Sequence, residues 1–244
     1  MVLALGKVQK GLLAENISRM AQDQTVLHEY NAKSGLGSWP HRDGWGAALL
    51  QQIPRGQTEQ KQQWQLHKSL LPFSEDPQSK DIMTTPASLL LVHLRKKSQG
   101  KVSLENTHPF LWENQVFCHN GTIEGKIPLN REQKMLGDTD SEHLFAAVRE
   151  RLDPQHPEQI FHLLDILHIP WGSNMILSTP EKSFVWVYYW QPSRYFQMAL
   201  GTKPGALIIS SEPLQIPGYR WQKLTHKTCL IIDHQTLTWQ IKKS

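Results

Sequence analysis

Cysteine is nearly absent. The 244 residues hold two, Cys118 and Cys229, too few for a disulfide framework, and a chain this long buries enough apolar surface to fold without one. Long apolar runs are missing as well. None reaches the roughly 18–20 residues that cross a bilayer, and no basic stretch followed by an apolar one and a small-residue cleavage site opens the chain. A cytoplasmic setting without membrane contact is the expectation. Charge of one sign is scarce: the net formal charge is +4 and the pI is near 9.0, with Lys and Arg scattered. Nucleic-acid binding needs a basic face or stripe, so no nucleic-acid partner is expected. His41, His93, His108 and His119 fall into no metal-ligand spacing, and Cys-x-x-Cys does not occur, so neither a metal nor another cofactor is expected.

What is present reads as one domain spanning 1–244. Strands are expected at Leu3–Leu5, Ala47–Leu50, Leu89–Leu94 and Gln115–Cys118, the last ending at the turn signal Asn120-Gly121. More follow at Asn174–Ser178, Ser183–Tyr189, Ala206–Ser210, Cys229–Asp233 and Leu237–Ile241. Helices are expected over 12–24, 139–152 and 157–167. The middle one carries a Thr139-x-x-Glu142 capping box and apolar residues at Leu144, Phe145, Val148 and Leu152. The Gln-rich stretch 54–66 reads as a solvated hairpin end or loop, and 72–86 as a connection. Nine tryptophans are many for this length; Trp186 and Trp190, in a strand-like run, read as core or sheet-packing residues. Strands at both ends with helices early and in the middle suit two packed sheets with helices outside.

Ordered motifs punctuate these elements: His41-Arg42-Asp43-Gly44-Trp45-Gly46, His93-Leu94-Arg95 with Ser98, Asn106-Thr107-His108-Pro109-Phe110, Phe117-Cys118-His119-Asn120-Gly121, Gly137-Asp138-Thr139-Asp140-Ser141-Glu142, and late in the chain Ser211-Glu212-Pro213-Leu214 followed by Trp221. Their order and spacing resemble the class II glutamine amidotransferase domain, stand-alone type, a branch of the N-terminal-nucleophile hydrolases. The resemblance runs from about Gly6 to Trp221. It implies an α+β fold, a four-layer αββα sandwich of two mainly antiparallel sheets. It also implies a small-molecule substrate, glutamine or a γ-glutamyl compound, and leaves room for a partner enzyme that accepts ammonia.

Glutamine offers a carboxylate, an ammonium and an amide. The resemblance assigns Arg95 to the carboxylate, where a guanidinium can form two parallel hydrogen bonds, with Ser98 adding a hydroxyl; the plain alternative is a surface Arg in the basic loop Arg95-Lys96-Lys97. It assigns Asp140 to the ammonium, a role compatible with the ordinary preference for acids at a helix N-terminus. Asn120 and Gly121 become the oxyanion hole, an amide and a backbone N–H aimed at developing charge, against the plain reading of an Asn-Gly turn. His119, in the same motif, joins the substrate-binding set, and Asp43–Gly46 is expected to be structural, a turn with a buried Trp.

The family's N-terminal cysteine, whose own α-amine serves as base, has no counterpart here, for Val2 stands near its place. Two alternatives stay open. The nucleophile is substituted, or it lies before Met1. The first leaves a catalytically inactive ligand-binding or regulatory module, and the second an amidohydrolase. Cys118 reads as a buried, inert core residue rather than a replacement.

Overall fold

Side chains of a strand point alternately to its two faces, and that alternation organises this molecule. In β1 (Val2–Gly6), Leu3 and Leu5 face one way while Val2 and Ala4 face the other. A computed structural model describes residues 1–25, 38–55, 59–190 and 193–243. Within them, β1 pairs with β4 (Leu89–Leu94) on one side and β10 (Ala206–Ser210) on the other. The sheet extends through β2 (Trp45–Arg55) and β3 (Glu59–Ser69) at one end and β9 (Met198–Lys203) and β11 (Arg220–Leu224) at the other, in the order β11-β9-β10-β1-β4-β2-β3. A six-stranded sheet holds β13 (Trp239–Lys243), β12 (Thr228–Asp233), β8 (Lys182–Val187), β7 (Ser173–Ser178), β6 (Gln115–Gly121) and β5 (Phe110–Trp112). Every pairing among these strands is antiparallel.

The two sheets bury a common layer. Leu3, Leu5, Leu89, Leu91, Leu207 and Ile209 of the first meet Val116, Cys118, Ile176, Val185 and Leu230 of the second. The alternate residues of the first sheet, Val2, Ala4, Leu90, Val92 and Ile208, pack under Leu13, Ile17 and Met20 of α1 (Lys10–Ala21) and Met83 of α2 (Ser79–Thr84). On the far side, Phe117, Met175, Leu177 and Trp186 pack under α3 (Asp140–Arg151) and α4 (Ile160–Ile166). The fold is thus the four-layer αββα sandwich of two antiparallel sheets.

Several elements depart from expectation. Of the Gln-rich stretch, 56–58 lie outside the described residues, but the rest is strand, β3 paired along β2. Trp64, on the face turned inward, is buried and donates its indole N–H to the Asn114 carbonyl at 2.9 Å, while Gln63 and Gln65 face water. The connection 72–86 contains α2. Asn120 and Gly121 form no turn: β6 runs through both, opposite Asn174 and Ser173. Strands β5, β9 and β11 were not foreseen, and the last strand begins two residues late because Leu237 sits at φ 54° in the turn. Trp186 is core, whereas Trp190 is about half exposed and hydrogen-bonds the Ile169 carbonyl.

The Asp43–Gly46 segment is structural, as its turn and tryptophan suggested. Gly44 adopts φ 105°, and a Cβ on Gly46 would stand 2.3 Å from the His108 carbonyl oxygen. Trp45 is fully buried, packs edge-on against Phe73, and donates its indole N–H to the buried Asp76 carboxylate at 3.0 Å. Trp45→Phe removes a hydrogen bond to a charged group and opens a void, so denaturant unfolding should show a loss of about 2–4 kcal/mol. A loss under about 1 kcal/mol would mean that this bond does not hold the segment.

Candidate functional site

Arg95 leaves the end of β4 with its main chain fixed on both sides: its N–H donates to the Gly44 carbonyl at 2.9 Å, and its carbonyl accepts from the Asp43 N–H at 3.3 Å. The side chain is only 4% exposed. One terminal nitrogen, Nη2, donates to the carbonyl of Lys101 at 2.9 Å, so the guanidinium is gripped by its own loop. The other, Nη1, is buried with no hydrogen-bond partner among the described residues. Burial lowers the affinity of this group for its proton, with Asp43 and Asp138 opposing. The loop is clamped in turn. Asp43 Oδ2 accepts from the Lys97 N–H at 2.8 Å, and Asn106 accepts from the Asp138 N–H at 2.9 Å while donating to the Asp138 carboxylate and to the Lys101 carbonyl.

The other wall is the end of β6 and the start of α3. Thr139 caps the helix through its hydroxyl, which accepts from the Glu142 N–H at 3.4 Å. The capping box is one-sided, because the Glu142 carboxylate instead accepts from the N–H groups of Leu136 and Gly137 at 2.8 Å each and so holds the approaching loop. Asp140, the first helical residue, accepts from the Ile123 N–H at 2.7 Å. His119 is buried with both ring nitrogens engaged, Nδ1 with Ser141 Oγ at 2.9 Å and Nε2 with Ser173 Oγ at 3.0 Å. Burial lowers its pKa, and Asp140 opposes that shift. It therefore ties β6 to α3 and β7. Next to it, Gly121 has no room for a side chain, since a Cβ would sit 2.3 Å from the Gly172 carbonyl oxygen. The Asn120 side-chain amide makes no hydrogen bond among the described residues.

The third component is the head of β1. The pairings Val2↔Ser210 and Val2↔Val92, continued by one residue, put Met1 between Ser211 and His93. Met1 accepts from the Ser211 N–H at 3.1 Å, and its own nitrogen lies 3.2 Å from Ser211 Oγ. Burial pulls that amine down to about 6, with Cys118 and Glu212 opposing. Met1 belongs to the layer between the sheets, facing Cys118, whereas Val2 packs toward α1. His93 Nε2 lies 3.1 Å from the His119 carbonyl, which can only accept, so Nε2 carries the hydrogen and Nδ1 is the lone-pair nitrogen. Burial, then the positive amino end, hold His93 well below the usual histidine range. Burial pushes the Cys118 thiol far up, in keeping with an inert core residue.

These parts surround a cavity, partly open to solvent, of about 460 Å³ with that open space included, lined by Arg95, Ser98, His119, Asn120, Gly121 and Asp140. All the anticipated site residues except Val2 therefore meet in one place. Ser98, on the exposed rim, accepts a hydrogen bond from the Thr122 hydroxyl at 3.0 Å. A second space of about 670 Å³, with Met1 in its wall, adjoins the first across His41, His93, Leu94, Asn120 and Tyr195. Met1 and Tyr195 were not anticipated as site residues, and His93 and Asn106 stood in the motifs without an assigned role. His93 is marked as the one polar residue of an otherwise apolar strand; Tyr195 carries no such mark.

A family model described as "Glutamine amidotransferases class-II" matches residues 11–170. "Putative glutamine amidotransferase YafJ" of Escherichia coli (strain K12) is 32% identical over 130 residues, which is 50% of this chain and 48% of that protein. A "Putative glutamine amidotransferase" of Haemophilus influenzae is 30% identical over 155 residues, 62% of this chain and 50% of that protein. The aligned part thus spans about half the length of these relatives. Among solved structures, the Bacillus subtilis glutamine phosphoribosylpyrophosphate amidotransferase superposes on 99% of this chain and 48% of its own, with TM-score 0.63 at 13% identity. At that identity the likeness bears on the fold alone. The sequence match over most of the chain settles its kinship: this chain belongs to the class II glutamine amidotransferases.

Proposed function

We propose that residues 1–244 act as one amidotransferase domain that binds the glutamyl part of glutamine or of a γ-glutamyl compound in the 460 Å³ cavity, and that hydrolysis of the side-chain amide depends on a thiol at the head of β1. One observation carries the reading. Arg95 is a buried cation with an unpartnered nitrogen, and leaving such a donor unsatisfied costs about 1–3 kcal/mol, more when charged. A bound carboxylate would satisfy it. Asp140 supplies the opposite charge for the ammonium, and Ser98 a hydroxyl at the rim. His119 positions Ser141 and Ser173 rather than offering a ring nitrogen to the ligand.

In a chain with a cysteine in place of Met1, the thiolate would attack the carbonyl carbon of the side-chain amide. Asn120 and the Gly121 N–H would receive the developing oxyanion. The C–N bond breaks, ammonia leaves with a proton, and water releases glutamate from the thioester. Neither Met1 nor Val2 brings a nucleophile, and this favours a second reading for the chain as it stands: a ligand-binding or regulatory module that does not turn over. A cytoplasmic location and a partner that takes up ammonia belong to the first reading.

The Met1–Ser244 chain should release no ammonia from glutamine above a blank. A chain processed to begin with cysteine at position 1 should release it, and more than one beginning at Val2→Cys, whose side chain is directed toward α1. Equal gains would refute the register argument; ammonia release by the unaltered chain would refute the need for a new thiol.

Arg95→Lys should weaken glutamine binding by about 2–5 kcal/mol, the range for breaking a buried charge pair. Calorimetry with glutamine and its decarboxylated analogue checks this, since a loss confined to glutamine is expected and an equal loss for both would count against carboxylate recognition.

In the cysteine-started background, Asn120→Ala, which keeps a Cβ in the strand, should lower kcat about 10²–10³-fold with the melting temperature and KM little altered. Near-normal kcat would reject the oxyanion role.

A further inference from the structure

The glutamyl cavity opens into far more space than a departing ammonia needs. Arg95 and Asp140 line only the 460 Å³ cavity, while Asn120 and His93 line both spaces, so a ligand anchored at Arg95 and Asp140 directs its amide at the shared wall. Beyond that wall lies a cleft, partly open to solvent, bounded by Met20, Thr25, Arg194, Tyr195 and Glu212. Ammonia takes about the room of one water, whereas this cleft admits several water-sized groups side by side. Its walls are both apolar and polar. Met20, on the inner side of α1, is buried and apolar, and Glu212 accepts from the Thr25 hydroxyl at the rim. At the junction His93, itself buried, keeps its Nδ1 without a hydrogen-bond partner among the described residues.

We propose that this second space is a subsite for a substituent on the side-chain amide nitrogen, so that the ligand class is the N-substituted γ-glutamyl amide, the γ-glutamyl derivative of an organic amine, rather than free glutamine. The inference rests on the glutamyl reading of the first cavity. Where turnover is enabled, the same C–N bond breaks. The amine rather than ammonia then leaves with a proton, and water supplies the hydroxyl of the new carboxylate. An extension at the other end of the ligand has no equivalent fit, because a group on the α-nitrogen would displace the ammonium from Asp140.

Calorimetry on the Met1–Ser244 chain tests this with three probes: glutamine, γ-glutamyl-n-butylamide and Nα-acetylglutamine. The butylamide should bind at least tenfold more tightly than glutamine, since even partial burial of four apolar carbons supplies that factor, and Nα-acetylglutamine should bind more weakly. Thr25→Trp, at the exposed rim, and Met20→Phe, at the inner wall, should each erase the butylamide's advantage while leaving glutamine affinity unchanged. Should glutamine bind as tightly as the butylamide or more so, the subsite is refuted and the glutamyl cavity stands. An advantage that survives both variants would also refute it, because the butyl group then lies elsewhere. No binding of any probe would overturn the glutamyl reading and the subsite with it.

Discussion

Face-to-face packing of two sheets is the constraint on which everything else here depends. It draws alternate apolar residues of β1, β4, β10, β6 and β8 into the shared layer, and apolar burial of this kind supplies most of the stability of such a domain. The site begins where that filling stops. Two residues before Leu3 and two past Leu91, the inter-sheet face carries Met1 and His93, and two residues past Cys118 the opposite sheet presents Asn120. The pocket is thus the unfilled end of the core, walled by strand ends that hydrogen-bonded ladders hold in place. Sites on such supports are more rigid than sites carried by loops.

A second link sets the two charges of the pocket. Arg95 and Asp140 belong to segments far apart in the chain, and Asn106 joins them. Its amide engages the Asp138 carboxylate and main chain just before α3, and the Lys101 carbonyl that also receives Arg95 Nη2. Gly137 belongs to the same arrangement, since a Cβ there would lie 2.1 Å from Asn106 Oδ1. Cation and anion are therefore set at one spacing by the buried side chain of Asn106.

Much of this was legible in the chain. Arg95 and Asp140 sit in short motifs at the end of a strand and at a capped helix, where local rules decide conformation, and the strong apolar runs Leu89–Leu94 and Ala206–Ser210 could be little else but strand. What was hidden depends on partners distant in sequence. Whether Met1 or Val2 faces the pocket is a matter of pairing register with Ser210 and Val92, which no local pattern encodes. Asn120-Gly121 resembles a turn by composition, yet β7 supplies a neighbour that keeps both in the ladder. The stretch 54–66 reads as a hairpin end or a loop, and the hairpin alternative holds, but how far β3 continues past Trp64 depends on pairing with β2 that the polar composition does not encode.

That polar composition has a consequence for how molecules meet one another. A sheet ends in a row of unpaired peptide groups that can recruit a strand from another chain, and proteins blunt such rows with lysine, with brevity or with both. The outermost strands here follow that practice. β3 turns Lys61, Gln63 and Gln65 to water, β11 carries exposed Arg220 and Lys223, β13 ends in Lys242-Lys243, and β5 is three residues long. Growth by edge-to-edge addition is opposed at each of the four margins by a lysine or arginine or by brevity, and on β3 it is Lys61, among the glutamines that obscured the strand in the sequence, that supplies the charge.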